Sequence, residues 1–358
     1  MVLEKKVNVI KLLCFFLIFF SLLGCSVLNK NAKQTGNEPL VETAFLMGTI
    51  VKISIYDHIE DKTIFQKVFN RIADIEAKMT INSATGQSEI INLNNAAGRE
   101  SCKFSADTFY VLEKGKNYSE LSGGLFDITI GPLVKLWNIG TEAATVPQEA
   151  EILTKLPLVN YHNLILDKDK QTAKLIVPGM IVDLGAIAKG YAADEAAKIL
   201  LENGIKHAIV NLGGNILVLN TRPDGSAWRL GLQDPYEPRG DYMGIVNLKN
   251  QTLVSSGTYE RYLERNGKRY HHILNPKTGY PEDNGLVSVS IITTSSIDAD
   301  ALSTATFLLG LEKGLELIEK LPDTEAIFIT TDKKVYTSSG VSAADFEIKK
   351  NEYQLQKK

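Results

Sequence analysis

The order of apolar and polar residues along the chain predicts a folded domain that contains both strands and helices. Residues 49–55 alternate between apolar and polar positions, which is typical of a strand with one buried face. Apolar residues over 63–78 recur at helical spacing. A second helix is expected over 106–121, with Ser105 as its N-cap.

The rest of the domain is predicted as short strands interrupted by two longer helices, 186–202 and 297–320. The strands are expected at 164–166, 173–177, 207–219, 228–232, 243–248 and 286–293. This order favours an α+β fold with antiparallel or mixed sheets and packed helices over a regular βαβ repeat. No linker composition interrupts the interior, so we expect a single composite domain over 43–348 and a polar C-terminal tail over 349–358.

The N-terminal segment has a different character, because residues 12–24 are nearly all apolar and follow a basic start. This run of 13 residues is shorter than the about 20 that a spanning helix needs, which is typical of an export signal. It ends in LLGC (22–25), which resembles the lipobox of bacterial lipoprotein precursors. That resemblance implies a signal peptide at 1–24, a lipid on Cys25 and a flexible linker over 25–42. The domain is then expected at the extracytoplasmic face of a cell membrane; the alternative is an uncleaved N-terminal anchor.

Composition and charge exclude several classes of protein. The 358 residues include 39 Lys and Arg against 42 Asp and Glu, a net charge of −3 that excludes a polybasic nucleic-acid binder. A hydrophobic content of 44% excludes an intrinsically disordered chain. Three cysteines are too few for a disulfide scaffold, and after processing only Cys102 would remain, which we interpret as structural.

Glycine is concentrated in the middle of the chain, where 18 of the 27 glycines fall between Gly123 and Gly285. Such clustering indicates tight turns around a site or close approach of backbone to a ligand. The chain contains neither the P-loop motif GxxxxGK[ST] nor the dinucleotide motif GxGxxG after a strand. It also lacks HExxH and any Cys/His cluster, so we expect a metal to be a hard cation held by oxygen atoms.

Three segments carry candidate chemistry. Asp300 and Thr304 lie four residues apart near the start of a predicted helix and therefore on one face, although simple helix capping is an alternative. Lys189 follows a strand and a glycine turn at a predicted helix start, which is an arrangement suited to phosphate, or else a common solvent-facing lysine. His272 stands beside a rigid turn that contains Asn-Pro and Thr-Gly-Tyr-Pro.

These segments and their neighbours together resemble the ApbE-type FAD:protein FMN transferases, the flavin transferases. The similar motifs occur in order as AFLMGT (44–49), GLFDITIGPLVKLW (124–137), VDLGAIAKGYAAD (182–194), NLGGNI (211–216), WRLGLQDP (228–235), SSGTYER (255–261), HHILNPKTGYP (271–281) and DADALSTATFLLG (298–310). Each motif alone is weakly specific, and the ordered set carries the resemblance. The chain departs from the family at Asn275, where Asp is usual, and at Ala186, where Gly is frequent.

The resemblance implies an ApbE-like, T-fold-like domain that moves FMN from FAD to a Thr or Ser hydroxyl of a target flavoprotein and releases AMP. It implies a Mg²⁺ ion held by the Ala186 carbonyl, Asp300 and Thr304. The residues implied to bind the flavin cofactor are Met47, Phe126, Asp127, Ile128, Asp183, Lys189 and Leu274. His272 is the candidate for handling the hydroxyl proton or for steadying the phosphate during transfer, with Asp300 as the alternative base.

Two other functions are compatible with the same motifs. A hydrolase of the same fold would split FAD into FMN and AMP with water as acceptor, and a non-catalytic lipoprotein would only bind flavin. The expected partners are FAD, an extracytoplasmic flavoprotein acceptor and, through the lipid, a membrane, but no nucleic acid.

Overall fold

The computed structural model describes residues 38–83 and 85–356. The expected signal peptide, the lipidation site Cys25 and most of the expected linker lie outside the described residues. From Pro39 onward the described chain forms one compact unit. Among the described residues, no helix has the length and apolar character that crossing a bilayer requires.

Strands and helices alternate irregularly along the chain. The strands are β1 (Leu40–Leu46), β2 (Thr49–Ile55), β3 (Cys102–Lys103), β4 (Leu164–Asp167), β5 (Thr172–Leu175), β6 (Ala208–Leu212), β7 (Asn215–Leu219), β8 (Trp228–Gln233), β9 (Tyr242–Leu248), β10 (Thr252–Gly257), β11 (Tyr262–Arg265), β12 (Lys268–His271), β13 (Leu286–Thr293), β14 (Glu325–Thr330), β15 (Lys334–Thr337), β16 (Phe346–Ile348) and β17 (Gln354–Leu355). The helices are α1 (Thr63–Met79), α2 (Glu89–Asn95), α3 (Ala106–Leu121), α4 (Gly131–Trp137), α5 (Glu149–Lys155), α6 (Ala188–Glu202), α7 (Ser296–Leu309) and α8 (Leu311–Ile318). Short 3₁₀ turns lie at Leu156–Leu158 and Tyr161–Asn163.

A nine-stranded central sheet organises the domain, with strand order β1-β2-β6-β7-β10-β13-β14-β15-β17. Its neighbours pair antiparallel except β15 and β17 at one edge, which are parallel. Two three-stranded sheets, β16-β9-β8 and β3-β5-β4, and the hairpin β11–β12 complete the strands. The predicted α+β class with antiparallel and mixed sheets is therefore confirmed.

The central sheet is covered on both faces. Val51, Ile53 and Ile55 of β2 pack with α1 and α6 in the largest apolar cluster, in which small alanines of α6 allow the helix to approach the strands closely. On the opposite face, Val218 and Leu253 pack against the sheet formed by β8, β9 and β16. Burial on both faces explains why β13 is buried along its whole length.

The helices predicted at 63–78 and 106–121 are confirmed, but two other predicted elements are divided. The helix expected over 297–320 ends at Gly310, whose φ of 79° lies outside the helical region, and α8 continues after it. The strand expected over 207–219 is a hairpin, because Gly213 and Gly214 both have positive φ and return the chain as β7.

Both ends of the domain extend further than expected. Strand β1 begins at Leu40 and pairs with β2 along its full length, so the last residues of the expected linker belong to the sheet. The expected polar tail contains the short strand β17. Within it Tyr353 is buried and donates to Asp234 at 2.6 Å, while the Lys350 ammonium pairs with the same carboxylate at 2.6 Å. A buried aspartate thus requires these C-terminal residues as its partners.

Candidate active site

A cavity of about 840 Å³ lies at one end of the central sheet. The β1–β2 turn, the β6–β7 turn and the end of β10 meet there, because the antiparallel registers bring all three to the same end of the sheet. The loop after β8 and the base of the β11–β12 hairpin form its other side. Its volume is near the upper end of the about 300–1,000 Å³ of small-molecule sites, which suits a large ligand.

The turn between β1 and β2 projects Met47 into this cavity. Leu46 pairs with Thr49, so only Met47 and Gly48 form the turn, with φ values of 53° and 68°. Positive φ at both positions is typical of a type I′ hairpin, in which glycine or asparagine is usual. A methionine there costs about 1–2 kcal/mol of backbone strain, which is consistent with a side chain that serves the cavity rather than the turn.

The junction of helices α6 and α7 forms the polar end of the cavity. Asp300 on α7 is 4% exposed, and its Oδ2 accepts the Gly190 amide of α6 at 2.9 Å. Its Oδ1 lies 3.5 Å from the Lys189 ammonium, which is longer than the about 2.7–2.9 Å of a direct charged hydrogen bond. The helices meet this closely because residue 190 is glycine: a Cβ there would lie 2.2 Å from the Ser296 carbonyl oxygen.

Asp194, one turn further along α6, fixes where α7 begins. Its two carboxylate oxygens accept the amides of Ser296 and Ile297 at 2.8 and 2.9 Å. These amides would otherwise lack partners at the helix start, and a carboxylate there also interacts favourably with the helix dipole. Burial raises the pKa of Asp194 to about 6, against the lowering effect of the two amides. The start of α7, and with it Asp300, is therefore set by α6.

The residues predicted to hold a cation present the kind of ligand atoms that a hard cation prefers. The Gly190 amide donates to Asp300 instead of to the Ala186 carbonyl four residues before it, so that carbonyl oxygen is left without this helical partner. Thr304, one turn after Asp300, has its hydroxyl 3.1 Å from the Ser256 hydroxyl. Ala186, Asp300 and Thr304 all line the cavity and present oxygen atoms, which Mg²⁺ prefers. Among the described residues no group of three or more His, Cys, Asp or Glu side chains forms an alternative metal cluster.

The two aspartates predicted to contact the cofactor differ in the number of hydrogen bonds that they accept from the protein. Asp127 is buried, and it accepts from the Thr129 amide and hydroxyl and from the Tyr161 amide at 2.7–2.9 Å. Within the part of the chain that the structure describes, Asp183 accepts only the Gly185 amide, at 2.9 Å. Burial raises the pKa of both carboxyl groups. Asp127 therefore holds the cavity wall together, while Asp183 keeps acceptor capacity for a ligand.

The adjacent histidines His271 and His272 have different surroundings. His271 is buried against Phe307, its Nε2 lies 2.7 Å from the Glu282 carbonyl and its Nδ1 accepts the Ile273 amide, so it is structural. His272 lines the cavity, and its Nδ1 lies 3.2 Å from the Arg261 carbonyl. Burial, together with the Arg261 cation, lowers the pKa of His272 to about 3. Since a carbonyl only accepts, Nδ1 carries the proton of the neutral ring and Nε2 is left as an acceptor.

The structure brings every predicted site residue of the folded domain to this cavity. Its lining contains Met47, Phe126, Asp127, Ile128, Asp183, Ala186, Lys189, His272, Leu274, Asp300 and Thr304. Cys102 lies elsewhere, half-buried on β3, and burial raises the pKa of its thiol, which makes it a poor nucleophile.

Sequence reasoning missed other residues that line the cavity. Thr49, Asn215 and Ser256 come from three strands, and Arg239, Arg261 and Arg269 lie near the hairpin side. Several belong to the motifs NLGGNI and SSGTYER, so the motifs marked the segments without indicating which side chains face the ligand. Charges in the lining nearly balance, with five carboxylates against four cations: Asp127, Asp183, Glu237, Glu260 and Asp300 against Lys189, Arg239, Arg261 and Arg269.

Comparison with known proteins identifies relatives of this chain. The model of the ApbE family matches residues 47–328. An FAD:protein FMN transferase of Klebsiella pneumoniae is 39% identical over 83% of this chain and 91% of its own length. One of Treponema pallidum is 34% identical over 83% of this chain and 86% of its own length.

Solved structures have the same architecture. The ApbE protein of Thermotoga maritima superposes with a TM-score of 0.77 and 30% identity, covering 84% of this chain and 97% of that one. The flavin transferase ApbE of Vibrio cholerae superposes with a TM-score of 0.75 and 27% identity, with the same coverage of both chains.

Proposed function

The chain belongs to the ApbE family, and on this premise we propose that it is an FAD:protein FMN transferase. The observation that carries the proposal is the α6–α7 junction, where a lysine, a buried carboxylate and a hydroxyl meet at the polar end of a cavity with an apolar wall. A dinucleotide with an apolar isoalloxazine ring and a charged pyrophosphate matches both parts.

The proposed metal is Mg²⁺, held by Asp300, Thr304 and the Ala186 carbonyl. The lining has five carboxylates and four cations, so its side chains supply no net positive charge to neutralise a pyrophosphate. When bound, a divalent ion supplies Lewis acidity at phosphoryl oxygens. Lys189 adds a second positive charge beside the same carboxylate, at 3.5 Å.

The proposed reaction is a phosphoryl transfer. The oxygen of an acceptor Thr or Ser hydroxyl bonds to the phosphorus of the FMN half, the bond from that phosphorus to the bridging oxygen breaks, and AMP leaves with this oxygen. The hydroxyl proton goes to a base. His272 is the better candidate of the two, because its ring is neutral with Nε2 as acceptor, whereas Asp300 already accepts from Gly190 and lies beside Lys189.

We propose the cell location from the sequence alone. The lipobox-like segment would place a lipid on Cys25 and the domain on the extracytoplasmic face of a membrane. The acceptor would then be a flavoprotein in the same compartment. Labelling the protein with a radioactive fatty acid, with Cys25→Ala as control, tests the anchor, and label retained by the variant contradicts it.

The decisive experiment incubates the protein with FAD, Mg²⁺ and a threonine-bearing acceptor protein, followed by mass spectrometry. We expect the acceptor to gain one FMN less water while AMP appears in equal amount. Free FMN with an unlabelled acceptor would instead indicate the hydrolase. Omission of Mg²⁺, with EDTA present, is expected to stop both products.

Two variants on the same helix separate catalysis from simple flavin binding. Asp300→Asn is expected to reduce AMP release at least about 100-fold, since it removes a buried charge from the phosphate end. Asp298→Asn is the matched control, because Asp298 pairs with Lys114 at 2.7 Å and does not line the cavity. If wild-type protein binds FAD but neither variant nor wild type releases AMP, the chain is a flavin carrier.

A further inference from the structure

Asn215, the first residue of β7, carries an unmade hydrogen bond in the cavity wall. Asn215 is one of the residues that line the cavity, it is 3% exposed, and its amide nitrogen Nδ2 is fully buried. Among the described residues it is the one buried side-chain polar atom without a hydrogen-bond partner. Leaving a buried donor unpaired is costly, so native structures retain such groups rarely and often where a ligand completes them.

Asn94 shows what a structural asparagine looks like in the same protein. Its Oδ1 accepts the Val182 amide at 2.7 Å and its Nδ2 donates to the Val182 carbonyl at 3.0 Å, so both ends of the amide are used. The Nδ2 of Asn215 makes no such bond to any described residue. The fold therefore gains from Asn94 and loses from Asn215.

The side chain of Asn215 faces the layer formed by α6 and α7. Side chains alternate along a strand, and Leu217 and Leu219 of β7 belong to the apolar cluster that contains residues of α6. Asn215 shares that face of the sheet. On β10, three residues beyond the last one paired with β7, the Ser256 hydroxyl lies 3.1 Å from the hydroxyl of Thr304 on α7. Asn215 thus belongs to the floor beneath the polar end of the cavity.

We propose that the Asn215 amide donates a hydrogen bond to a phosphoryl oxygen of the bound dinucleotide and so positions the pyrophosphate for transfer. This inference deepens the proposed function and rests on it. The polar end faces a ligand whose oxygens only accept, and an amide supplies a donor there without altering the charge balance of the lining. Half a turn about the last side-chain bond exchanges the positions of nitrogen and oxygen, which presents the nitrogen to the cavity and places the oxygen in the buried position.

Asn215 is expected to lower the stability of the ligand-free protein and to raise its affinity for the ligand, so a substitution should change the two quantities in opposite directions. Asn215→Leu replaces the amide by an apolar group of similar volume and removes the unpaired donor. We expect the ligand-free variant to melt at the same or a higher temperature than wild type, whereas the matched Asn94→Leu melts lower because it breaks two bonds.

Binding is measured by titration calorimetry with ADP and with riboflavin, in the presence of Mg²⁺. Asn215→Leu is expected to weaken ADP binding about tenfold or more, the usual value of a hydrogen bond to a charged group. Riboflavin, which has no phosphate, is expected to bind as to wild type. Asn215→Asp, which brings a negative charge toward the phosphates, is expected to weaken ADP binding further than Asn215→Leu.

Unchanged ADP affinity in Asn215→Leu overturns the inference, as does a loss of melting temperature equal to that of Asn94→Leu. An equal loss of riboflavin affinity also overturns it, because the contact would then not be to phosphate. The outcomes are distinct from those of the proposed function. If wild-type protein transfers no FMN while ADP binding still depends on Asn215, the transferase proposal fails and the phosphate contact remains.

Discussion

Gly190→Ala tests whether close contact between α6 and α7 is essential to the protein. In an exposed helix this substitution stabilises by about 1 kcal/mol, because alanine is the better helix former. Here the added Cβ would lie 2.2 Å from the Ser296 carbonyl oxygen and 2.7 Å from the Ile297 Cα. Both are backbone atoms, which a side-chain rotation does not remove.

The cost follows from the movement that the contact requires. Real Cβ contacts below 3.0 Å essentially do not occur, so α7 must retreat by about 1 Å from α6. That movement stretches the 2.9 Å bond from the Gly190 amide to Asp300 beyond hydrogen-bonding distance. Overpacking costs about 1–3 kcal/mol and the lost charged hydrogen bond about 1.5–3 kcal/mol. After the gain in helix propensity, the net loss is about 2–5 kcal/mol.

Urea unfolding followed by tryptophan fluorescence measures this loss, since both tryptophans are buried. Gly115→Ala on α3 is the comparison variant, because the atoms nearest to its added Cβ belong to the Ile128 side chain, at 2.8 Å, and not to backbone. We expect Gly115→Ala to lower the free energy of unfolding less than Gly190→Ala does, because its overpacking costs about 1–3 kcal/mol but breaks no hydrogen bond to a charged group. A Gly190→Ala protein as stable as wild type, with unchanged dependence of FMN transfer on Mg²⁺, would refute the reasoning.

Three further predictions concern other parts of the molecule. Burial lowers the pKa of His272 to about 3 while an unfolded histidine titrates near 6.5, so stability is full above about pH 6.5 and falls as the pH is lowered toward 3. Between pH 7 and pH 5 this amounts to about 2 kcal/mol, which His272→Phe should lack in urea titrations at the two pH values. Truncation after Lys349 removes both Lys350 and Tyr353 from buried Asp234 and should cost about 3 kcal/mol or more in urea unfolding; a loss below 1 kcal/mol would show a dispensable tail. Trp137→Phe removes the 2.8 Å bond to the Gly279 carbonyl and should cost about 2 kcal/mol, and an unchanged melting curve contradicts this.

The sequence predicted those elements whose signal is local. The apolar periodicity over 63–78 and 106–121 reports which face of a helix is buried, and both helices form nearly as expected. Element boundaries that depend on one backbone angle were missed, as at Gly310, because a glycine is compatible with both continuation and termination of a helix. The short strands β14 and β15 were missed as well, although they pair with each other as a hairpin, because strands of six and four residues carry only a short alternating pattern.

The identity of the candidate site residues also came from the sequence, through eight motifs in a characteristic order, and the structure places them around one cavity. What each side chain does there was not predictable. Asp127 and Asp183 are the same residue type in the sequence. In the structure Asp127 accepts hydrogen bonds from Thr129 and Tyr161, whereas Asp183 keeps acceptor capacity for a ligand. Asn215 was not identified from the sequence, because the absence of a hydrogen-bond partner depends on the groups that surround the side chain in the folded structure.

The sequence by itself thus determined the α+β class, the family resemblance and the set of chemically competent residues. Tertiary structure decided which of these residues have acceptors or donors left for a ligand, which of two adjacent histidines faces the cavity, and how closely α6 approaches α7. The physical reason is the sequence separation over which each interaction acts. Periodicity and turn chemistry act over a few residues, whereas hydrogen-bond satisfaction, burial and charge balance are set by groups that are distant in sequence and adjacent in space.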